Sequence, residues 1–316
     1  DRFLCRHRRS DKDFTRQRIL TFPLLILFQM NMVRSTLQSE LDNFFSILNG
    51  DAEGLLSAVT KSAYCEARKK FSATAFTELN QQVTHEYYHE ALFQRWRGHR
   101  VLMVDGSTIE LPFSENLLEH YGKVNPSARH PGARLSELYD PLNDMTLDVQ
   151  VSPCHVGERT LAVKHLEAAC LGDLILYDRG YPAVWLIALH QAKGVHCCMR
   201  SPWNLYNETR DFLASGRDAQ IVELSMSDRS KAQAQVLGLS EEPIRVRLIH
   251  VDLTDSDERE VLITTLLDEN SYPASDFKWL YHQRWTGEEN YKTLKSRLEI
   301  ENFSGYSVTV IEQDIH

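Results

Sequence analysis

The chain has 316 residues, enough for two domains or for one domain carrying a large insertion. At 42% hydrophobic and 25% charged residues it has the balance of a globular protein, which excludes a disordered or fibrous chain. The formal net charge of -9 excludes a uniformly basic nucleic-acid coat but leaves room for a basic groove on an acidic protein.

Cations gather near the start, at Arg6, Arg8, Arg9, Lys12, Arg16 and Arg18, while acids crowd residues 252–258. The six cysteines, Cys5, Cys65, Cys154, Cys170, Cys197 and Cys198, contain no C-x-x-C pair. That spacing points to reduced thiols in a cytosolic protein, not to a zinc site or a disulfide framework. The apolar run 22–33 is broken by Gln29 and Asn31. It falls short of the roughly 20 residues of a membrane span, and no cleavage site follows it. Asp1 at the start and helical-looking sequence at His316 make both ends read as truncated.

Residues 1–98 read as helical. Two apolar periodic stretches lie within 14–48, separated by Arg34-Ser35-Thr36. Thr60 or Ser62 can cap the next helix, and another starts near Thr74. Two short helices with basic residues on one side fit either a helix-turn-helix-like unit or a bundle with a solvated basic face.

Residues 99–200 change character. Strands are predicted at 100–111, where a turn falls within the run, and at 135–139 and 145–151, with Asp140-Pro141-Leu142-Asn143-Asp144 as a turn. A helix at 159–170, a strand at 174–178, a helix at 183–191 and a strand at 195–200 follow. Three strands, helix, strand, helix, strand is the order of a ribonuclease H-like fold. Residues 201–270 read as a mainly β insertion, with strands near 220–224, 244–251 and 260–267 and polar linkers between them. Residues 271–316 return to helix. The expected architecture is thus α/β: an all-α N-terminal domain (1–98), a ribonuclease H-like core (99–200 and 271–316) and the insertion (201–270).

Two acids end apolar runs: Asp105 before Gly106, and Asp178 before Arg179-Gly180. Ligands of α/β sheets gather at the carboxyl ends of strands. Taken singly each acid has another explanation, since Asp before Gly is a common turn residue and Asp178 can cap a helix or pair with Arg179. Ser107 has no His and Asp arrangement around it to make a nucleophilic triad, and His130 and His155 lack metal-ligand spacing.

The stretch 281–295 reads as a helix, with Glu288 among the cations Arg284, Lys292 and Lys295. Thr286 and Glu289 fit a capping box, so the helix can restart at Thr286. A carboxylate among cations is either a solvated face with ordinary salt bridges or a metal ligand flanked by phosphate-binding groups. Tyr281 can donate to a phosphate or pack at a helix end, and Trp285 reads as core.

The order Tyr281, two residues, Arg284, three residues, Glu288, six residues, Lys295 resembles the YREK signature of insertion-sequence transposases of the IS4 family. The resemblance extends through 296–305 and covers nearly the whole chain. It implies a DDE transposase whose Asp105, Asp178 and Glu288 are the catalytic, metal-holding acids, with two Mg²⁺ or Mn²⁺ ions. Three acids in a small volume need such neutralisation. It implies DNA contacts by Tyr281, Arg284, Lys292 and Lys295, and recognition by the N-terminal helices. The partners it implies are double-stranded DNA, both the terminal inverted repeats and the target, and a second copy of the chain in a synaptic complex. The implied location is the bacterial cytoplasm, at the nucleoid. Some members hold a flipped base with an aromatic from the insertion; Trp203 is only a weak candidate. Two other readings stay open: a metal-dependent nuclease that cleaves without joining, and a transposase-derived DNA-binding remnant.

Overall fold

The computed structural model describes residues 2–16, 18–31, 35–49, 59–252, 260–296 and 301–316. Among these, helices α1 (Arg2–His7), α2 (Phe22–Met30), α3 (Leu37–Asn49), α4 (Lys61–Arg68) and α5 (Thr74–Glu90) precede strand β1 (Val101–Glu110). Next come α6 (Glu115–Tyr121), β2 (Gly132–Asp140), β3 (Met145–Pro153), α7 (Glu158–His165), β4 (Leu174–Tyr177), α8 (Val184–Lys193) and β5 (His196–Ser201). The chain continues through α9 (Asn207–Ser215), β6 (Ala219–Leu224), α10 (Asp228–Val236), β7 (Ile244–Val251) and β8 (Glu260–Thr264). It closes with α11 (Asp276–His282), α12 (Arg284–Ser296) and α13 (Val308–Ile315). No helix among the described residues is long and apolar enough to cross a membrane.

The fold is mixed α/β, built on one eight-stranded sheet of order β3-β2-β1-β4-β5-β8-β7-β6. β1, β4 and β5 run parallel, and β5, β8, β7 and β6 alternate antiparallel. Residues 201–270 therefore prolong the central sheet. They also contain α9 and α10, where polar linkers are expected from the sequence. Both helices are predominantly polar and bury little more than Thr209, Phe212 and Ala234, so their helical period leaves a weak trace. α6 likewise falls between β1 and β2, in residues for which the sequence predicts no element. Ser114 caps it by accepting from the Leu117 amide at 3.2 Å.

The chain divides into two compact units. One comprises Thr84–Thr108 and Arg134–Leu298 and holds the sheet; the other comprises Asp1–Val83, Ile109–Ala133 and Glu299–His316. In the sheet unit, side chains alternate between two apolar layers, as the two-residue period of a strand requires. Leu102, Val104, Leu138, Ile175, Tyr177 and Cys197 join residues of α7 and α8. Val101, Met103, Tyr139, Leu174, Leu176 and Cys198 join Phe277, Leu280 and Tyr281 of α11, with Trp285 packed alongside. Trp285 is thus part of the packing, as its sequence context suggests. In the other unit, Phe22, Leu25, Phe28, Leu41, Tyr64 and Phe71 form the core of the N-terminal helices. Thr60, not Ser62, caps α4, accepting from the Ala63 amide at 3.2 Å. The same unit takes in the C-terminal segment: buried Arg68 of α4 pairs with Asp314 at 2.7 Å and donates to Gln313 at 2.9 Å.

Candidate active site

β1 and β4 pair in parallel with Val101 opposite Leu174, Leu102 opposite Ile175 and Met103 opposite Leu176. Continued by two residues, that register sets Asp105, midway along β1, level with Asp178, one residue past the end of β4. Neighbouring strands lie about 4.8 Å apart, so the two acids are close by construction. By the strand period both fall on the side of Met103 and Leu176, the side α11 covers. Apolar runs buried on both faces make β4 and the first half of β1, and each acid falls where its run ends.

The two carboxylates differ in how they are satisfied. Asp105 Oδ1 accepts from the Gly106 amide at 2.9 Å. Asp178 Oδ1 is buried and has no hydrogen-bond partner among the described residues. Arg200 approaches that oxygen at 3.9 Å, an ion-pair distance too long for a hydrogen bond, and is itself held by buried Glu260 at 2.5 Å. The Tyr181 hydroxyl, near Asp105, is a second buried group without a hydrogen-bond partner among the described residues. Burial holds that phenol protonated, reinforced by the charges of Glu158 and Asp105.

The helix break after α11 falls at Gln283, so α12 starts at Arg284 and not at Thr286. α12 meets β1 through Gly287 and Tyr291 and β2 through Asn290. Gly287 lies so near β1 that a Cβ there would collide with the Sδ and Cε of Met103, a residue only 1% exposed. The Tyr291 hydroxyl donates to the Asp105 carbonyl at 3.0 Å. The Asn290 amide donates to both carboxylate oxygens of Glu137, at 3.0 and 3.1 Å. Glu288 directly follows Gly287 on this helix; its side chain lies outside the described residues, as does that of Lys295. Of the other positions singled out for DNA, Tyr281 is fully buried and its hydroxyl donates to the Tyr177 carbonyl at 3.1 Å. That carbonyl immediately precedes Asp178. Arg284 is 3% exposed, with its guanidinium 5.9 Å from the Tyr281 ring. Lys292 is exposed and paired with Glu289 at 2.6 Å. The β1–β4 register thus sets Asp105 level with Asp178, and Tyr281 and Arg284 are buried in the packing, not on the surface.

Two features escape sequence reasoning. Glu137 on β2 is a buried carboxylate, held by Asn290 and by the Thr146 hydroxyl at 2.5 Å. Burial raises its pKa, the two hydrogen bonds oppose that, and the nearby charges of Asp105 and Asp144 add to it. A signal exists: Glu137 interrupts the buried side of its strand, between Leu135 and Tyr139. The second feature is on the opposite side of the sheet, where His165 bridges Asp148 at 2.7 Å and Ser136 at 2.9 Å. This resembles a nucleophilic triad, but Ser136 is fully buried and its hydroxyl lies 3.3 Å from the Asp105 carbonyl. It braces β1 from behind.

Among the described residues no three His, Cys, Asp or Glu side chains gather closely enough to hold a metal ion. Asp105 and Asp178 supply two oxygen donors, and an unbonded buried carboxylate oxygen is the kind of donor a hard divalent cation takes. The donor set therefore suits a hard divalent cation.

The sequence profile of the family described as Transposase DDE domain matches residues 96–316, and the chain belongs to that family. It is 20% identical over 244 residues to the transposase InsG for insertion sequence element IS4 of Escherichia coli (strain K12), an alignment covering 76% of this chain and 54% of that protein. It is 27% identical over 194 residues to the putative transposase y4zB of Sinorhizobium fredii (strain NBRC 101917 / NGR234), covering 58% and 50%. The chain spans about half the length of these two relatives. Among solved structures, a cryo-EM structure of the piggyBac transposase synaptic complex with hairpin DNA aligns at a TM-score of 0.44 and 10% identity, covering 95% of this chain and 67% of that one. That likeness is too distant to place individual residues.

Proposed function

We propose that the chain carries the catalytic core of a transposase that cleaves DNA at its terminal inverted repeats and transfers the ends into target DNA. The observation that carries this is the register of β1 and β4. It sets Asp105 opposite Asp178 on the side that α12 approaches, with one Asp178 oxygen buried and unbonded. The strand order β3-β2-β1-β4-β5, with β1, β4 and β5 parallel, supports a ribonuclease H-like core, prolonged by residues 201–270.

In this reading Asp105, Asp178 and Glu288 hold the divalent metal. When bound, a pair of such ions activates the attacking oxygen and stabilises the leaving one in an in-line displacement at phosphorus. The residues around the acids keep them in place. Tyr291 anchors the Asp105 backbone, Tyr281 anchors the backbone before Asp178, and Gly287 lets α12 lie close enough to bring Glu288 to the pair. Arg200, fixed by Glu260, offsets the charge of Asp178. Arg284 supports Tyr281 from the core, while Lys292 and Lys295 are the cations offered to phosphate. Residues 1–98 serve DNA recognition, and the assembled form is a homodimer on paired ends. A cytoplasmic, nucleoid-associated location follows from such a substrate.

The test is cleavage of double-stranded DNA carrying the element's inverted repeats, by a version extended to the length of its relatives, with Mg²⁺ or Mn²⁺. Asp178→Asn keeps the shape of the side chain and removes its charge, so cleavage collapses while repeat binding remains. Retained cleavage would remove Asp178 from the site. Binding without cleavage by the unsubstituted protein, with paired ends and either metal, would identify a DNA-binding remnant. Cleavage without joining would identify a nuclease.

A further inference from the structure

The contact between α12 and β2 is chemically unlike its contacts with β1. Gly287 meets β1 by shape, and Tyr291 meets a backbone carbonyl. Asn290 instead reaches a side-chain carboxylate that is 2% exposed and places its amide nitrogen between both oxygens, at 3.0 and 3.1 Å. The Thr146 hydroxyl of β3 donates to one of those oxygens at 2.5 Å. A buried carboxylate is costly, and a leucine would fill the space at less expense. What the carboxylate adds is direction: a donor shared by two oxygens accepts only a narrow range of helix rotation and translation. Asn290 lies two residues beyond Glu288, within one helical turn. Any slip of α12 that carries Glu288 away also breaks this contact.

We propose that Glu137 and Asn290 are a positioning pair that sets the rotation and height of α12 over the sheet, and thereby delivers Glu288 to Asp105 and Asp178. Neither residue belongs to the three acids or to the YREK positions. The three strands β2, β1 and β4 are consecutive in the sheet, so a helix referenced to Glu137 on the first is aimed at the acids on the other two. The inference rests on the reading of Glu288 as a metal-holding residue.

The experiment measures Mn²⁺ affinity of the 316-residue chain by electron paramagnetic resonance, with thermal unfolding recorded for each variant. Asn290→Asp sets two carboxylates against each other. It should weaken Mn²⁺ binding about 10–100-fold, the usual cost of losing a group that orients a ligand. Glu137→Gln combined with Asn290→Asp reverses donor and acceptor at an unchanged number of heavy atoms, and should recover most of that loss. A role in core packing alone would not produce this rescue. Glu288→Gln separates metal holding by Glu288 from positioning by Glu137 and Asn290. Unchanged Mn²⁺ affinity in Glu288→Gln overturns the metal reading and the positioning role together. Weakened affinity in Glu288→Gln, with wild-type affinity in folded Asn290→Asp or no recovery in the reversed pair, overturns the positioning role alone. If Asn290→Asp does not fold, Asn290→Ala replaces it. That variant lacks the repulsion and should also bind Mn²⁺ more weakly, so wild-type affinity there overturns the proposal.

Discussion

The two sides of the central sheet handle buried polar groups differently. On the side of α7 and α8, two buried histidines close on their neighbours, although the Tyr181 hydroxyl there has no hydrogen-bond partner among the described residues. His165 is bonded at both ring nitrogens by Asp148 and Ser136, and His190 is bonded to the Tyr177 hydroxyl and the Leu186 carbonyl. On the side of α11 and α12, Asp178 keeps a buried oxygen without a hydrogen-bond partner among the described residues, beside Asp105. A closed network is a brace; leaving a buried charged oxygen unbonded costs stability that packing elsewhere must offset. The open side is therefore where a ligand is expected, and the closed side is what keeps the open one in place.

The largest effect should come from the open side. Asp105→Asn or Asp178→Asn should lower DNA cleavage on the order of 10³-fold or more, because metal stabilisation of the developing charge is worth several kcal/mol. The melting temperature of these variants should stay near that of the wild type, since neither change disturbs the packing. A large fall in melting temperature with cleavage retained would mark the two acids as structural.

His165→Ala probes the closed side and should do the reverse. Losing both bonds of a fully buried imidazole should cost about 2–4 kcal/mol in denaturant unfolding, with Mn²⁺ affinity preserved in the folded fraction. Equal losses in both measurements would show that the two sides act as one.

The two sides should also answer pH with opposite sign in the metal-free chain. Burial lowers the His190 pKa from 6.5 to about 4. The unfolded chain then binds more protons in that window, so stability is full above pH 6.5 and falls on acidification, by at most roughly 3 kcal/mol. Burial raises the Glu137 pKa from its ordinary value of 4.5, so there the folded chain binds more protons and stability falls as pH rises above 4.5. Unfolding followed from pH 4 to 8 should show the acid-side slope flattened in His190→Gln and the alkaline-side slope flattened in Glu137→Gln. Flattening in the wrong limb would reassign the groups. Smaller still, Tyr281→Phe deletes a single bond to the Tyr177 carbonyl and should cost about 1 kcal/mol. A loss of repeat binding without loss of stability would return Tyr281 to the DNA surface.

Much of the sheet is legible in the sequence, because β1, β4 and β5 are short apolar runs and buried parallel strands need little else. Asp105 and Asp178 stand out for the same reason, each an acid where an apolar run ends. Tyr281 is less decidable: an aromatic ring with a hydroxyl serves a core or a phosphate equally well, and only the Tyr177 carbonyl above it settles its place in the fold. Glu137 is visible as an acid between Leu135 and Tyr139, but without knowing which side of β2 is covered it reads as a solvent-facing residue. The Asp148–His165–Ser136 chain is hidden because β3, α7 and β2 each supply one member, with no spacing rule linking them. α9 and α10 are hidden because they bury so little.

The most direct measurement is the anomalous diffraction of Mn²⁺ in crystals of this chain. A peak ligated by both Asp105 and Asp178 is expected, lost in Asp178→Asn crystals of the same form. A peak bound by Glu137 instead, or Mn²⁺ binding in solution with no peak between the two aspartates, would contradict this metal site.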